Sequence, residues 1–273
     1  VTARASFLCA LAACVVAATV VARLGSPSAA QTENTVRIVT PALFAPLLRQ
    51  IAAAYGAAGA DATVIVREGS YADDLRDLEA GTAEIAVLDR ATAGTNYVDH
   101  PLAVVPYAVI VDPNAGVASL TSAQVGGLFA GRIANWSAVG GTDAPVVAVE
   151  RPANSGTTAL FASFFGPSAI SGIVVDNTST AVVDAVRTQR GGIGFVGIPY
   201  AKLGGVRILS IDGAQPTADA IADGTYKVYT TIHAVTPGQP PPRVSRFLSF
   251  AESRRDLLHA AGFLTIFETR RSR

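Results

Sequence analysis

The chain of 273 residues has no methionine, one tryptophan and two cysteines. Both cysteines, Cys9 and Cys14, fall within the first thirty residues. Whatever folds downstream therefore has no thiol, no disulfide and no cysteine metal ligand. Charge is also scarce, at 15% of residues, with Lys202 and Lys227 the only lysines. Half of the residues are hydrophobic, which excludes a disordered chain and calls for a well-buried core. His100, His233 and His259 are far apart with no ligand-spaced partner, so no metal site and no cofactor is expected. No G-x-S-x-G elbow is present, and "GGIGFVG" (191–197) fails the G-x-G-x-x-G spacing and follows a helical pattern, not a strand. An enzyme is not expected.

What is present begins with a leader. Arg4 supplies a basic start, "FLCALAACVVAATVVA" (7–22) an apolar stretch too short for a membrane span, and "LGSPSAA" a small-residue cleavage site. Residues 1–30 are expected to be a signal peptide cleaved near Ala30, giving an exported, periplasmic or cell-surface protein. "LAAC" (11–14) leaves a second course open, lipid anchoring at Cys14, although the apolar run continues beyond it. The leader holds two arginines and no acid, so 19 of 21 basic residues remain against 21 acidic ones, a net charge of −2. Nucleic-acid binding is excluded on that balance. An anion would have to be held by local groups, since no global attraction exists.

From residue 36 the pattern alternates. Strands are expected at 36–40, 63–66 and 84–88, with helices at 42–55 and 71–81 between them. Strands joined by helical crossovers imply a parallel, doubly wound sheet, whose ligands sit at the carboxyl ends of strands. Those ends are Thr40, Arg67 to Ser70, and Asp89. "LAVVPYAVIVDP" (102–113) is a longer extended run suited to crossing between domains. Later strands are expected in "VVAVE", "IGFVG", "VRILSI" and "YKVYTTIHAV", and a last helix over 244–262.

One stretch carries chemistry. In "RPANSGTTALFASFF" (151–165), Leu160, Phe161, Phe164 and Phe165 recur at helical spacing, so a helix begins near Ser155. A helix start exposes unpaired N–H groups and the positive end of the macrodipole. Gly156 lets a ligand approach the main chain, Ser155 and Thr157 add hydroxyls, and Arg151 adds a planar fork suited to an oxyanion. The same residues would also serve as an ordinary capped helix with a surface arginine.

Five stretches decide between these: "LTSAQVGGLFAGRIANWSAVGG" (120–141), the 151–165 motif, "GGIGFVGIPYAKL" (191–203), "PTADAIADGTY" (216–226) and "FLSFAESRRDLLHAAGF" (247–263). In this order they resemble the periplasmic phosphate-binding proteins, the PstS-like solute receptors of phosphate ABC importers. The resemblance implies an α/β type II periplasmic binding protein, two doubly wound domains joined by crossing strands with a ligand cleft between them. Domain I would comprise 31–108 and 229–273, and domain II 109–228. It further implies a monomer that captures inorganic phosphate and hands it to a membrane permease. Arg151, Ser155, Gly156 and Thr157 match the family's phosphate-binding motif, and Ser70 falls near its phosphate-binding serine. Asp89 matches the aspartate that accepts the phosphate proton in longer members, while Arg90 aligns with an arginine of shorter ones. Main-chain N–H groups near Ala42 and Leu43 would complete the site.

Departures from the family pattern leave the ligand open. The turn after the first strand is rich in Gly, Ser and Thr in the family but reads "TPALF" here, with Ala42 in the hydroxyl position. Ala153 replaces an acid, and "YKVYTT" replaces "YPLSR". Ser70 would equally cap the helix at 71, and Asp89 would equally cap its loop. The alternatives to a phosphate receptor are a receptor for another oxyanion, a sensory or ligand-free relative, or a secreted phosphatase lacking a visible nucleophile.

Overall fold

The structure, a computed structural model, describes residues 34–90, 96–168 and 172–270. The leader, with Cys9, Cys14 and Ala30, lies outside them. Val36–Arg273 pack as one compact unit.

The first half alternates as its sequence pattern requires: β1 (Thr35–Thr40), α1 (Ala45–Ala57), β2 (Thr63–Glu68), α2 (Tyr71–Glu79) and β3 (Ile85–Leu88). Helix α1 buries Leu47, Leu48, Ile51 and Tyr55, one face at helical spacing. It starts three residues later than its apolar pattern suggests. Pro46 is tolerated only in a first turn, and the Phe44 N–H closes a tight turn on the Pro41 carbonyl at 3.0 Å. Ala42 and Leu43 therefore sit in a turn at the carboxyl end of β1, not in a helix.

The long strand β4 (Tyr97–Val111) follows, then β5 (Ser119–Leu120), α3 (Ser122–Phe129), β6 (Val147–Glu150) and α4 (Gly156–Phe165). Next come β7 (Ile173–Val174), α5 (Ser179–Thr188), β8 (Gly192–Gly197) and α6 (Ile198–Ala201). The run "VRILSI" divides into β9 (Arg207–Ile208), paired with β4, and β10 (Ser210–Ile211), paired with β5. Helix α7 (Ala218–Ala222) and strand β11 (Tyr229–Pro237) lead to α8 (Pro242–Ser253) and α9 (Arg255–Ala260). The last two were expected as one helix, which breaks where Arg254 adopts φ −87° and ψ 57°.

The main sheet runs β2-β1-β3-β11-β4-β8-β6-β7, with β9 also on β4. The expectation of a parallel sheet holds within each half, where β1 pairs β3 and β6 pairs both β7 and β8 in parallel. It fails in the middle, where β11 and β4 are antiparallel to their neighbours. Strand β4 is the crossing strand. It pairs with β11 from Tyr97 to Pro106, then with β8 from Tyr107 to Val111. One buried cluster, including Phe44, Ile51, Val105, Val125 and Phe247, extends through both halves.

Candidate anion-binding site

The geometry is built around the start of α4. Ser155 is its N-cap, in extended conformation, and its side chain makes no capping bond. The Ser155 Oγ is buried, with the residue 3% exposed, and has no hydrogen-bond partner among the described residues. The first intrahelical bond runs from the Ala159 N–H to the Ser155 carbonyl at 3.2 Å. The N–H groups of Gly156, Thr157 and Thr158 thus precede any intrahelical acceptor. No acidic residue occupies this first turn, so the positive helix end is uncompensated.

Arg151 is braced beside it. Its Nε donates to Asn177 Oδ1 at 3.0 Å, its Nη2 to the Asn177 carbonyl at 2.8 Å, and its Nη1 to Thr157 Oγ1 at 2.7 Å. A guanidinium has five N–H groups, so one remains on each Nη, the pair that forms a fork. Among the described residues no carboxylate forms an ion pair with Arg151. Burial lowers its pKa from the ordinary value, while the nearby phenols of Tyr107 and Tyr200 oppose that shift. Beneath the guanidinium lies a cavity of about 20 Å³, lined by Glu150, Arg151, Thr157, Thr158 and aromatic rings including Phe161 and Phe195. That volume holds about one water molecule.

The first half of the chain supplies the facing wall. A methyl group built on Gly156 would stand 3.5 Å from Asp89 Oδ2 and 3.5 Å from Arg90 Nη2. Asp89 is half-buried at the end of β3, its carbonyl accepting from Thr230 Oγ1 at 2.7 Å. Its carboxylate pairs with Arg90 Nε at 3.1 Å, and the Arg90 guanidinium lies over the Tyr71 ring at 4.6 Å. Leu43 reaches across as well: a Cβ on Gly197, at the end of β8, would be 3.2 Å from Leu43 Cδ1. Gly156 thus faces Asp89 and Arg90, and Leu43 faces Gly197, each a contact between the two halves.

Ser70 is placed differently. It caps α2, accepting from the Asp73 N–H at 3.3 Å and donating to Asp73 Oδ2 at 2.6 Å, and it is exposed. The capping alternative describes what its hydroxyl does. The start of α2 also carries Asp73 and Asp74 in its first turn, so carboxylates already compensate its dipole. Asp74 is 0% exposed and neither carboxylate oxygen has a partner among the described residues. Burial first, then the charges of Asp77 and Asp73, raise it to about 7 against the opposing effect of Arg67.

Three participants were not singled out from sequence. Asn177, which braces Arg151, lies in the loop between β7 and α5, and no local pattern marks it. Tyr107 and Tyr200 sit in apolar stretches, where an aromatic residue reads as core.

Residues 25–255 match the family model described as a PBP superfamily domain. The chain belongs to the PBP superfamily. Among its relatives in this family is the phosphate-binding protein PstS of Bacillus subtilis (strain 168), 28% identical over 239 residues, which span 84% of this chain and 79% of that one. An ABC-type phosphate transport receptor from Vibrio cholerae is 26% identical at a TM-score of 0.72, covering 84% of this chain and 99% of that one. A substrate-binding protein from Clostridium perfringens, solved with bound phosphate, gives a TM-score of 0.77 at 23% identity, over 85% and 100% of the two chains. The fold of this superfamily member is the type II periplasmic binding protein fold, and the resemblance to PstS-like proteins stands.

Proposed function

We propose that this protein is an exported receptor that captures inorganic phosphate between its two halves and delivers it to the membrane permease of an ABC importer. The observation that carries the proposal is the start of α4. Three N–H groups precede the first intrahelical acceptor; among the described residues the buried Ser155 hydroxyl has no partner, and Arg151 keeps two N–H groups and pairs with no carboxylate. Each charge-assisted bond to an anion is worth about 1.5–3 kcal/mol. Four or five of them total about 6–15 kcal/mol before ordering costs, a range that brackets the roughly −8 kcal/mol of a micromolar receptor.

Asp89 gives the anion its identity. Phosphate near neutral pH keeps a proton that a carboxylate can accept, whereas sulfate has none and would meet Asp89 with charge against charge. Leu43 and Ala42 offer main-chain N–H groups from the facing turn, while Ser70 would have to leave its bonds to Asp73 to take part. The 1–30 leader accounts for export, and the names of the relatives support delivery to an importer.

Another oxyanion is the competing assignment. It draws on Ala42, which has no hydroxyl to give, and on the Ser70 hydroxyl, which is engaged with Asp73. Calorimetric titration of the mature protein with phosphate, and with arsenate and sulfate as competitors, separates the two. Micromolar phosphate binding that arsenate displaces and sulfate does not is the expected result. Equal competition by sulfate, or no phosphate binding, would remove the proposal.

A further inference from the structure

We infer that Tyr107 is itself a ligand of this anion site, its phenolic O–H donating to the bound oxyanion where the two halves of the sheet meet. This deepens the phosphate-receptor proposal and rests on it.

The position is fixed by topology. Tyr107 is the first residue of β4 to leave β11 and pair with β8, so it stands at the crossing point. Its backbone is locked there: its N–H donates to the Val228 carbonyl at 2.9 Å, and its carbonyl accepts from the Tyr226 hydroxyl at 2.6 Å. The ring is fixed too, stacked on Phe195 with centroids 5.2 Å apart and planes 17° apart. Phe195 lines the same cavity as Arg151 and Thr157. In the β4–β8 register Tyr107 pairs with Gly197, the residue against which Leu43 packs from the facing turn.

The surroundings of the hydroxyl are those of the site. Tyr107 is 1% exposed and its hydroxyl makes no hydrogen bond among the described residues; that oxygen is not one of the fully enclosed polar atoms, so what exposure the residue keeps includes the hydroxyl. The ring Tyr107 stacks on, Phe195, lines the cavity beside Arg151, and Asp89, Arg151 and Arg90 all act on the phenol electrostatically. Burial and then the Asp89 carboxylate raise its pKa well above the ordinary tyrosine value, so it stays a neutral donor. A fixed neutral donor is what the "TPALF" turn fails to provide, because Ala42 has no hydroxyl.

The test is Tyr107→Phe, which removes one oxygen and keeps the ring on Phe195. Calorimetry should show phosphate affinity reduced about tenfold or more, the usual effect of losing a bond to a charged partner. The weak affinity for sulfate should fall by a similar factor, because a neutral donor does not read the phosphate proton. The melting temperature should not fall, since the hydroxyl holds no protein group. In the wild type, phosphate should also perturb the near-ultraviolet tyrosine spectrum, a change that supports the inference independently of how the variant folds. Affinity within about twofold of wild type, with no spectral change, would overturn the inference and leave the receptor function standing. A loss confined to phosphate would assign the phenol to Asp89, and overturn its role as an anion ligand. Absence of phosphate binding in the wild type would bring down the receptor proposal and this inference with it.

Discussion

Gly156 and Asp89, 67 positions apart in the sequence, face each other so closely that a methyl group on Gly156 would stand 3.5 Å from Asp89 Oδ2. That distance is ordinary van der Waals contact, so a side chain fits the protein alone. On the proposed reading the methyl group and the anion compete for the same space. Gly156→Ala should therefore fold normally, with stability unchanged or raised by up to about 1 kcal/mol because alanine suits a helix start better. Phosphate affinity should nevertheless fall by about two orders of magnitude, as several bonds depend on close approach to the main chain. A thermal melt beside a calorimetric titration reads both. Unchanged affinity would mean that the ligand does not sit on the start of α4.

Arg151 has a second role that its place in the motif does not reveal. Three of its N–H groups are spent on Asn177 and Thr157 within its own half of the molecule. Arg151→Ala should abolish phosphate binding and also cost on the order of 1–2 kcal/mol of stability through the lost bonds to Asn177. Arg151→Lys keeps the charge without the fork, so phosphate affinity should fall about tenfold to a hundredfold. Asn177→Ala should weaken binding with no contact to the ligand, by freeing the guanidinium. Full affinity in Asn177→Ala would show that the brace is dispensable.

Arg90 Nε pairs with Asp89 Oδ1 at 3.1 Å, so Oδ2 is the oxygen turned toward Gly156 to accept a hydrogen bond from the ligand. Asp89→Asn exchanges one accepting oxygen for a donor. Discrimination against sulfate should shrink by about tenfold or more, while phosphate affinity changes less. Equal phosphate-to-sulfate ratios in variant and parent would return Asp89 to a loop-capping role.

The sequence made the second half of this site legible and the first half only partly so. The 151–158 motif is local: arginine, cap, glycine and hydroxyls lie within one turn and loop, and the structure assembles them in that order. Asp89 could be placed because it ends an apolar strand, and strand ends are where such sheets bind. The turn at 41–44 was misread because its apolar residues continue the helical spacing of α1, and Pro46 was the one signal of a later start. Ser70 failed to separate from a cap because Asp73, three residues on, offers the same hydroxyl a partner. Tyr107 left no signal at all. Its role depends on where β4 changes partners, and strand pairing is a long-range property that no window of sequence contains. The antiparallel centre of the sheet escaped for the same reason.

Asp74 allows a prediction that needs no ligand. A carboxyl group that ionises near 3.8 when exposed is held neutral up to about 7 in the folded protein, chiefly by burial. The folded state therefore binds the proton more tightly than the unfolded state. Its stabilising effect is complete below the ordinary value of 3.8, and is lost as the pH rises from there through about 7. Above that the charge is buried against Gly69 with no partner among the described residues. Asp74→Asn cannot ionise, so it should lose none of this stability with pH. Whatever the buried amide costs is the same at every pH and cancels from the comparison. Denaturant unfolding at about pH 5 and about pH 8 should show the variant gaining on the parent by on the order of 2 kcal/mol between the two. If parent and variant keep a constant difference across that range, Asp74 is ionised throughout, and some charged partner must reach it.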